Sequence, residues 1–441
     1  MEIKKYEQYQ DFLGRLLKAQ TIFEGTPLQE TVKTITFQVT DDCNLKCTYC
    51  YQINKGTRVM SFETAKKFFD LLVQDSYKDD TYVSIKSTPG IVIEFIGGEP
   101  LLEIDLLDQI TDYIKWKLIS ENHPWASKVM FSMISNGVLY FDPKVQAYLE
   151  KNRNCVSFGI SLDGCRDLHD MCRVFPDGLG SYDIAEAGCI HYMKNFDNNM
   201  LTKMTIAPEN ISWTLEAFKN LYKLGYRTIH ANCVYEKGWN VNHGAVLYNQ
   251  LKQIADYILD NNLEEEVVFT MFNSDECKPM VDADNQNYCG STGCMLACDP
   301  DGQICPCIRF MKSSLGEELG DFTLGSIEEG IGHTEEHKNN IDLLDNITRR
   351  SQSTDECYNC PIARGCGWCT AYNFQETGSP NKRCTYICWM HRARSLANVY
   401  YWNKVYKKHN DDTRYELYLD KEHALQLIPE DEYNMLLELS K

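Results

Sequence analysis

Three cysteines, Cys43, Cys47 and Cys50, lie close together in the run DDCNLKCTYC, just after a strand-like segment. Three thiolates on one short loop can bind three irons of a [4Fe–4S] cube and leave the fourth iron open to another ligand. A zinc knuckle and a disulfide remnant are the alternatives. Zinc sites mostly combine paired C-x2-C halves with a fourth ligand at a set distance, and none follows Cys50 closely. The triad therefore favours an iron–sulfur cluster with an open iron, where chemistry can take place.

Further polar motifs follow the next predicted strands. The candidates for ligand binding are Gly97, Gly98, Glu99 and Pro100 after the second strand, Ser135 and Asn136 after the third, and Ser161 and Asp163 after the fourth. Two glycines allow backbone groups to approach a ligand closely, and a strand-end carboxylate can accept a hydrogen bond from an ammonium group. Hydroxyl, amide and carboxylate groups suit hydrogen bonds to a ribose or a ligand carboxylate. Each motif taken alone is more often a turn, and His169 is more often a structural histidine.

A second group of cysteines lies in the last third of the chain. It comprises Cys289, Cys294, Cys298, Cys305, Cys307, Cys357, Cys360, Cys366, Cys369, Cys384 and Cys388. Zinc is again the alternative, but the two halves of a zinc ribbon are normally about 15–20 residues apart, and Cys360 and Cys366 lie much closer than that. These thiols could supply two four-thiolate clusters with some to spare. The earlier cysteines without ligand-like spacing are interpreted as small buried hydrophobic residues: Cys155, Cys165, Cys172, Cys189, Cys233 and Cys277.

Alternating strand and helix patterns must position these motifs. The predicted strands are Thr34–Thr40, Ile91–Ile96, Val129–Ile134, Val156–Leu162, Lys203–Ala207 and Thr228–Val234. The predicted helices between and after them are Phe62–Leu72, Ile104–Ile119, Val145–Leu149, Ile184–Met193, Thr214–Leu224 and Val246–Leu259. Such βα units imply an α/β fold with a parallel sheet, here a partial (β/α)6 barrel rather than a closed barrel of eight units. Ligands of parallel α/β folds bind at the carboxyl ends of the strands, where each motif lies.

The composition limits the setting in which these elements work. The chain has 441 residues, of which 43% are hydrophobic and 24% charged, as in an ordinary globular protein. It contains 20 cysteines, and it has no long apolar stretch and no signal peptide at its start. We therefore expect a cytoplasmic protein with no membrane contact, in which C-x2-C spacing favours metal over disulfides. The net charge of −19 argues against a nucleic acid as the main partner, although solubility alone would also explain it.

The triad, with the aromatic Tyr49 before its third cysteine, resembles the signature of the radical S-adenosylmethionine (radical SAM) superfamily. The resemblance implies that the open iron chelates S-adenosylmethionine, and that its reductive cleavage yields a 5′-deoxyadenosyl radical that abstracts a substrate hydrogen. It also implies that Gly97 to Pro100 contact the amino group of S-adenosylmethionine and that Arg173 forms a bidentate pair with its carboxylate. The implied cofactor-binding residues are Tyr49, Gly97, Gly98, Glu99, Pro100, Ser135, Asn136, Ser161, Asp163 and Arg173.

The later cysteines are similar to the SPASM extension of radical SAM enzymes, a loop-rich domain that holds auxiliary clusters. Its pattern of C-x(9–15)-G-x4-C fits Cys289, Gly302 and Cys307, whereas Cys369 comes one residue earlier than the second part of the pattern requires. By resemblance, Cys289, Cys294, Cys307 and Cys369 hold the first auxiliary cluster, and Cys357, Cys360, Cys366 and Cys384 hold the second. Asn381 favours Cys384 over Cys388, so Cys298, Cys305 and Cys388 are expected not to be ligands. The cofactors implied are three [4Fe–4S] clusters and S-adenosylmethionine.

The overall pattern is most similar to thioether-forming (ranthipeptide) maturases of the freyrasin type. This resemblance implies a bond between a cysteine sulfur and the β-carbon of an Asp-like residue in a ribosomally made peptide with Cys-x3 repeats. It also implies a low-potential electron donor such as flavodoxin or ferredoxin. Formylglycine generation on a sulfatase and carbon–carbon crosslinking are alternative enzyme functions. An iron–sulfur electron carrier and a zinc-binding interaction module are alternatives from other classes.

The domain boundaries expected from the sequence are 1–31 for an N-terminal extension, 32–235 for the barrel, 236–286 for connecting helices, 287–394 for the SPASM domain and 395–441 for an acidic tail. Tyr6–Leu17 is predicted to be a helix. About thirty residues before the first strand are too few for a winged-helix leader-binding domain. A peptide leader would then bind to the barrel, to Leu263–Gln286, to the acidic residues after Tyr400 or to a separate protein.

Overall fold

The computed structural model describes residues 32–441 with the exception of 198–199, 201, 237, 282–284, 286, 288 and 386. The predicted extension 1–31 and its helix Tyr6–Leu17 lie outside the described residues. The strands are β1 (Lys33–Thr40), β2 (Ile91–Gly97), β3 (Val129–Ser135), β4 (Val156–Ile160), β5 (Met204–Ile206), β6 (Thr228–Ile229), β7 (Ala231–Cys233), β8 (Val268–Phe269), β9 (Met295–Cys298), β10 (Gln303–Cys305), β11 (Gly325–Ser326) and β12 (Gly330–Ile331).

The α-helices fall into two groups along the chain. Those of the first part are α1 (Phe62–Ser76), α2 (Ile104–Ser120), α3 (Pro143–Lys151), α4 (Arg166–Cys172), α5 (Tyr182–Asn195), α6 (Thr214–Lys223) and α7 (Val241–Asp260). Those of the second part are α8 (Glu335–Asp345), α9 (Arg349–Gln352), α10 (Asp355–Tyr358), α11 (Thr370–Thr377), α12 (Cys388–Lys408), α13 (Lys421–Leu425) and α14 (Glu430–Leu439). Helices follow each of the first four strands, as the sequence predicts.

One mixed sheet connects the two halves of the chain. Its strand order is β12-β11-β10-β9-β1-β2-β3-β4, and β1 to β4 are parallel neighbours. On the other edge of β1, β9 pairs in parallel with the register Thr34 to Met295, and β9 and β10 form an antiparallel hairpin. The predicted α/β fold is confirmed. The later, cysteine-rich part of the chain is therefore attached to the first strand by backbone hydrogen bonds.

The fifth and sixth βα units are less regular than predicted. The expected strand Thr228–Val234 is divided at His230 into β6, which pairs with β8, and β7, which pairs with β5. The backbone N–H of His230 donates to Thr202 Oγ1, and its carbonyl accepts from Met204 N. These two bonds replace a continuous ladder at this point, so the prediction of one strand here was wrong.

The outer face of the sheet packs on the helices. Alternate residues of β1, namely Ile35, Phe37 and Val39, are fully buried and pack with Phe68 of α1 and its neighbours. Each fully buried side chain of this size contributes about 1.5–3 kcal/mol relative to an exposed one. Because successive side chains of a strand point to opposite faces, the alternate residues, such as Thr36 and Gln38, lie on the inner face of the barrel.

The last helices fold back on the barrel instead of forming a tail. Helix α12 packs along α7, and the predicted boundary at 394/395 falls inside α12. The carboxylate of Glu432 in α14 accepts a hydrogen bond of 2.7 Å from Lys252 of α7. The expectation of a separate acidic tail over 395–441 was therefore wrong, because apolar residues of α12 are buried against the domain. Among the described residues, no helix is long and apolar enough to cross a bilayer.

Candidate functional site

The loop that carries the cysteine triad is fixed to the end of α4. The backbone N–H of Lys46 donates to Val174 O at 2.7 Å, and that of Thr48 donates to Cys172 O at 2.9 Å. The ammonium group of Lys55 donates to Leu45 O at 3.0 Å. These bonds hold the loop above the carboxyl ends of the strands, where the sequence placed it.

The three thiols are close enough to affect one another's ionisation. Burial raises the pKa of Cys43, whereas the Lys55 ammonium lowers it and Cys50 raises it. Burial also raises the pKa of Cys47 to about 11, with Arg173 acting in the opposite direction. Because metal binding requires thiolates, these two cations stabilise the charge that the loop acquires when it binds iron.

The donor set of this loop suits a cluster rather than a single ion. A [4Fe–4S] cube takes one thiolate at each of several irons, so its ligands surround it and do not meet at one point. Three soft thiols on one loop therefore fit a cluster bound at three of its irons.

The glycines at the end of β2 pack against the backbone of the cysteine loop. A Cβ atom on Gly98 would lie 2.0 Å from Asp42 O, and one on Gly97 would lie 2.9 Å from Thr40 O. The backbone N–H of Glu99 donates to Asp42 O at 2.8 Å. The sequence predicted that these glycines allow a ligand to approach, but in the structure they first allow two strand ends to approach each other.

Glu99 joins the ends of β2 and β3. Its buried carboxylate accepts hydrogen bonds from Ser135 Oγ at 2.7 Å, Asn136 N at 2.8 Å and Leu101 N at 3.1 Å. Burial raises the pKa of Glu99, and these donors lower it. Asn136 in turn donates through Nδ2 to Asn44 Oδ1 at 2.7 Å and, at 3.9 Å, to Cys43 Sγ. Three of the predicted motifs thus form one connected network, which reaches a sulfur of the triad.

Asp163 and Arg173 form a buried ion pair below the triad. Arg173 Nε donates to Asp163 Oδ2 at 2.8 Å, and the Tyr49 hydroxyl donates to the same oxygen. Burial opposes the charge of Asp163, but Arg173 and its other donors hold the pKa of Asp163 below its usual value. The sequence predicted that Arg173 pairs with the carboxylate of a ligand. In the structure its Nε and Nη2 donate within the chain, because Asp163 lies ten residues away along the chain at the neighbouring strand end.

His169 and Ser161 support these groups. His169 Nδ1 accepts from Asp163 N at 3.3 Å, and Nε2 is 3.0 Å from Ser181 Oγ. Burial lowers the pKa of His169 to about 4, so the ring is neutral at pH 7, in agreement with its interpretation as a structural residue. The backbone of Ser161 donates to Ser135 O at 2.8 Å, which joins the ends of β3 and β4.

A row of polar residues on the inner face of the sheet was not predicted. Thr36, Glu94, Ser132 and Ser157 are aligned across β1, β2, β3 and β4 by the strand register. Thr36 Oγ1 donates to Glu94 Oε2 at 2.7 Å. The only signal in the sequence is a single carboxylate within the apolar run IVIEFIG. Closed barrels fill this space with branched apolar residues, whereas Ser157 here is exposed.

Cys289, Cys307 and Cys369 form the first group of later cysteines. Burial raises the pKa of Cys307, and the charges of Cys369 and Cys289 raise it further. Cys289 Sγ lies 3.3 Å from Thr370 Oγ1, next to Cys369. Burial and the charge of Cys289 raise the pKa of Cys294, and the ammonium group of Lys33 lowers it. Cys289, Cys307 and Cys369 therefore lie close together, and Cys294 lies near Cys289.

Cys357, Cys360 and Cys366 form the second group around a shared arginine. Arg383 Nη2 donates to Cys366 Sγ at 2.8 Å. Burial lowers the pKa of Arg383, but the charges of Cys366, Cys357, Cys388 and Cys360 outweigh burial and hold this pKa above its usual value. Cys388, which we expected not to be a ligand, therefore lies beside this group. Cys384 lies next to Arg383 in the chain, and its N–H donates to Asn373 Oδ1 at 3.0 Å. Both cysteines thus lie near the second group, and Cys384 stays the predicted fourth ligand.

The remaining cysteines occupy packing positions. Cys298 and Cys305 are buried in the β9–β10 hairpin, as expected for residues that are not ligands. The hairpin turn contains Gly302 with a φ of 84°, and a Cβ there would meet Ile327 at 2.6 Å. Of the earlier cysteines, Cys172, Cys189 and Cys277 are buried, and Cys155, Cys165 and Cys233 are partly buried.

Arg309 connects the barrel with the first cysteine group, a contact that no motif in the sequence predicts. Its Nη2 donates to Glu236 Oε1 at 2.8 Å, and its guanidinium lies 4.6 Å from the ring centre of Tyr51. Tyr51 follows Cys50 directly, and Arg309 lies two residues after Cys307. A cation therefore lies between the triad and the first group of later thiols.

Residues 37–251, which include the triad, the strand-end network and every residue of the polar row except Thr36, match the model of the Radical SAM superfamily. The chain contains a radical SAM domain. This domain is the α/β part of the fold that carries β1 to β7.

Three curated proteins show how far the similarity extends. An uncharacterized protein of Methanocaldococcus jannaschii is 27% identical over 45% of this chain and 61% of its own length. The cysteine-type anaerobic sulfatase-maturating enzyme of Clostridium novyi is 28% identical over 32% of this chain and 35% of its own length. The antilisterial bacteriocin subtilosin biosynthesis protein AlbA of Bacillus subtilis is 22% identical over 82% of this chain and 75% of its own length. The chain thus spans less than two thirds of the first two.

Solved structures share the fold. Native anSMEcpe with bound AdoMet and Cp18Cys peptide has a TM-score of 0.61 and 17% identity, and the match covers 86% of this chain and 98% of that protein. Streptococcus suis SuiB bound to the precursor peptide SuiA has a TM-score of 0.53 and 14% identity, with coverages of 86% and 79%. The similarity to these structures therefore extends beyond the radical SAM domain into the cysteine-rich half.

Proposed function

We propose that the protein is a radical SAM maturase that joins a cysteine sulfur to the β-carbon of an Asp-like residue in a precursor peptide. The observation that carries this proposal is the triad of thiols at the strand ends together with two further groups of thiols in the same fold. In the first later group, Cys289 and Cys294 precede the β9–β10 hairpin and Cys307 follows it, and the second later group lies further along the chain. Arg309 lies between the triad and the first later group.

The residues around the triad would hold the first cluster and its cofactor. Cys43, Cys47 and Cys50 would bind the cluster, and Tyr49, Gly97, Gly98, Glu99, Pro100, Ser135, Asn136, Ser161, Asp163 and Arg173 would form the site for S-adenosylmethionine. When bound, these cofactors supply a carbon radical that removes a hydrogen atom from the substrate. The Asn136 amide beside Cys43 Sγ would tune the cluster, because hydrogen bonds to sulfur change its reduction potential.

The later cysteines would hold two clusters that accept electrons. Cys289, Cys294, Cys307 and Cys369 would bind the first cluster, and Cys357, Cys360, Cys366 and Cys384 would bind the second. Arg383, which donates to Cys366 Sγ, would balance the negative charge of the second cluster. An external donor of low potential, of the flavodoxin or ferredoxin class, would supply the electron that starts each turnover.

The proposed reaction balances with these parts. Each thioether removes two hydrogens from the peptide, one from the acceptor carbon as a hydrogen atom and one from the thiol as a proton. The new carbon–sulfur bond leaves one surplus electron, which the auxiliary clusters accept. The chain itself must therefore hold both peptide residues on the inner face, exclude water and provide a group that receives the thiol proton.

Mass spectrometry tests the proposal directly. Reconstituted protein is incubated without oxygen with S-adenosylmethionine, a reductant and a synthetic peptide that contains Cys-x3-Asp repeats. We expect deoxyadenosine, a loss of two hydrogens per repeat and cysteines that can no longer be alkylated. Deoxyadenosine together with an unchanged peptide would refute thioether formation on this substrate.

Sulfatase maturation is the second candidate, because a cysteine-type sulfatase-maturating enzyme is among the similar proteins. This reaction converts the side chain of one cysteine to an aldehyde and forms no crosslink. The same incubation with a sulfatase-derived peptide separates the two functions, since an aldehyde reacts with hydrazides and a thioether does not.

A further inference from the structure

Arg173, Arg309 and Lys203 lie close enough together for the charges of the two arginines to act on Lys203, and each arginine has a carboxylate partner in direct contact. Arg173 pairs with Asp163 at 2.8 Å, and Arg309 pairs with Glu236 at 2.8 Å. The third cation is Lys203. Among the residues that the structure describes, Lys203 has no contact ion pair, and the carboxylates of Glu94 and Asp163 act on it only from a longer distance.

The position of Lys203 follows from the alternation of side chains along the chain. Met204 and Ile206 of β5 are fully buried in the core, and Thr205 between them is partly exposed. Lys203, one residue before the strand, lies on the same side as Thr205 and is exposed. Enough protein surrounds this side chain that burial lowers its pKa. A group that touches solvent and is still surrounded by protein lies inside an open cleft.

Glu94 belongs to the same region. It lies in the middle of the polar row, is held by Thr36 Oγ1 at 2.7 Å, and its charge and that of Lys203 act on each other. Glu94 would therefore orient the Lys203 ammonium toward the centre of the barrel and would leave its donors available. Since a lysine ammonium has three donors, Lys203 can bind an anionic group that enters this space.

We propose that Lys203, positioned by Glu94, binds the carboxylate of the acceptor residue and makes the enzyme selective for acidic acceptors. This inference rests on the proposed function, because it assigns the carboxylate of the Asp-like residue to a particular group. The amide of an asparagine cannot form an ion pair with Lys203. An acceptor bound through its carboxylate presents the adjacent β-carbon from a fixed direction, which suits the removal of one hydrogen from that carbon.

The test compares two peptides and four proteins. The peptides carry one Cys-x3-Asp or one Cys-x3-Asn motif. The proteins are the reconstituted wild type, Lys203→Met, Lys203→Arg and Lys144→Met. Lys144 is the matched control, because it pairs with Asp105 on the surface and both side chains are exposed. Peptide affinity is measured by fluorescence anisotropy without reductant, so that no reaction takes place, and iron content and circular dichroism check that each variant is folded.

We expect the wild type and Lys144→Met to bind the Asp peptide roughly tenfold to a hundredfold more tightly than the Asn peptide, as a charged hydrogen bond implies. Lys203→Met should lose this preference, and Lys203→Arg should retain part of it. A Lys203→Met variant with the same preference as the wild type would overturn the inference. Weaker binding of S-adenosylmethionine by this variant would also overturn it, because the cofactor carboxylate would then be the ligand.

The failure of the inference can be distinguished from the failure of the proposed function. A wild type that crosslinks the Asp and the Asn peptide equally well refutes the role of Lys203 alone. A wild type that forms deoxyadenosine but crosslinks neither peptide refutes the proposed function, and the assignment of Lys203 with it.

Discussion

The triad and the later cysteines are supported in different ways. The triad follows an eight-residue strand of a parallel sheet, and it is surrounded by the buried groups Glu99, Asp163 and Arg173. Most of the later cysteines lie on loops and on the short β9–β10 hairpin, and Cys357 lies on the four-residue helix α10. Helices of this length are not stable alone. We therefore expect the barrel to be held by its own packing and the cysteine-rich half to depend on bonds between its thiols and metal.

Removal of iron should have the largest effect and should separate the two regions. We expect limited proteolysis of iron-free protein to cut first between residues 289 and 385, while β1 to β4 and α1 to α7 stay resistant. Helix α12 should also stay protected, because it packs along α7. Fragments are identified by mass spectrometry, with iron-loaded protein as the control. First cuts inside the barrel would contradict the difference between the regions.

The loss of one thiol should remove one cluster. Cys384→Ala should lower the iron content by about four irons per chain and leave the other two clusters in place. Cys388→Ala is the matched control, since Cys388 lies beside the same group and is expected to keep all clusters. Iron analysis and electron paramagnetic resonance of both variants decide between them. Loss of iron in Cys388→Ala only would move the fourth ligand to Cys388.

Removing one partner of the buried Asp163–Arg173 ion pair should lower the free energy of unfolding by several kcal/mol. Asp163→Ala leaves the Arg173 charge buried without its partner, which typically costs about 3–5 kcal/mol. Asp183→Ala removes the surface ion pair between Asp183 and Arg166. It should change the midpoint temperature of thermal unfolding little. Both midpoints are measured by circular dichroism on reconstituted protein. Equal midpoints for the two variants would show that the Asp163–Arg173 pair does not hold the strand ends together.

The free energy of unfolding should decrease at acidic pH because of the buried, neutral His169. Burial lowers the pKa of His169 from 6.5 to about 4 in the folded state, so only the unfolded state takes up a proton between these values. The stability that the neutral His169 contributes is therefore fully present above about pH 6.5. The free energy of unfolding falls as the pH decreases toward 4, by about 2 kcal/mol between pH 6.5 and 5. The His169→Gln variant keeps a donor and an acceptor but cannot titrate. Denaturation curves at pH 7 and pH 5 should show a smaller loss for this variant, and an equal loss would contradict the assignment.

The elements of the barrel could be predicted from the sequence because their apolar periodicity is strong. The predicted strand Ile91–Ile96 is Ile91–Gly97 in the structure, and the predicted helix Ile104–Ile119 is Ile104–Ser120. The division of Thr228–Val234 at His230 could not be predicted, because it depends on which strands lie beside each half. The packing of residues 395–441 was missed because acidic residues on a helix surface resemble those of a solvated tail.

The candidate site was predictable in its residue types and not in their partners. The spacing of Cys43, Cys47 and Cys50 and the strand-end positions of Glu99 and Asp163 are visible in the sequence. The pairing of Arg173 with Asp163 and the contact of Gly98 with Asp42 arise only when the strand ends meet. Glu94 and Lys203 were missed, since a polar residue on an inner strand face has no motif around it.

The most direct test of the central claim is the cleavage of S-adenosylmethionine by a variant with Cys43, Cys47 and Cys50 all replaced by alanine. Deoxyadenosine is measured under anaerobic, reducing conditions, and the iron content is determined on the same sample. We predict that this variant forms no deoxyadenosine and keeps about eight irons per chain in the two later clusters. Cleavage at the rate of the wild type would contradict the assignment of the triad as the site of radical formation.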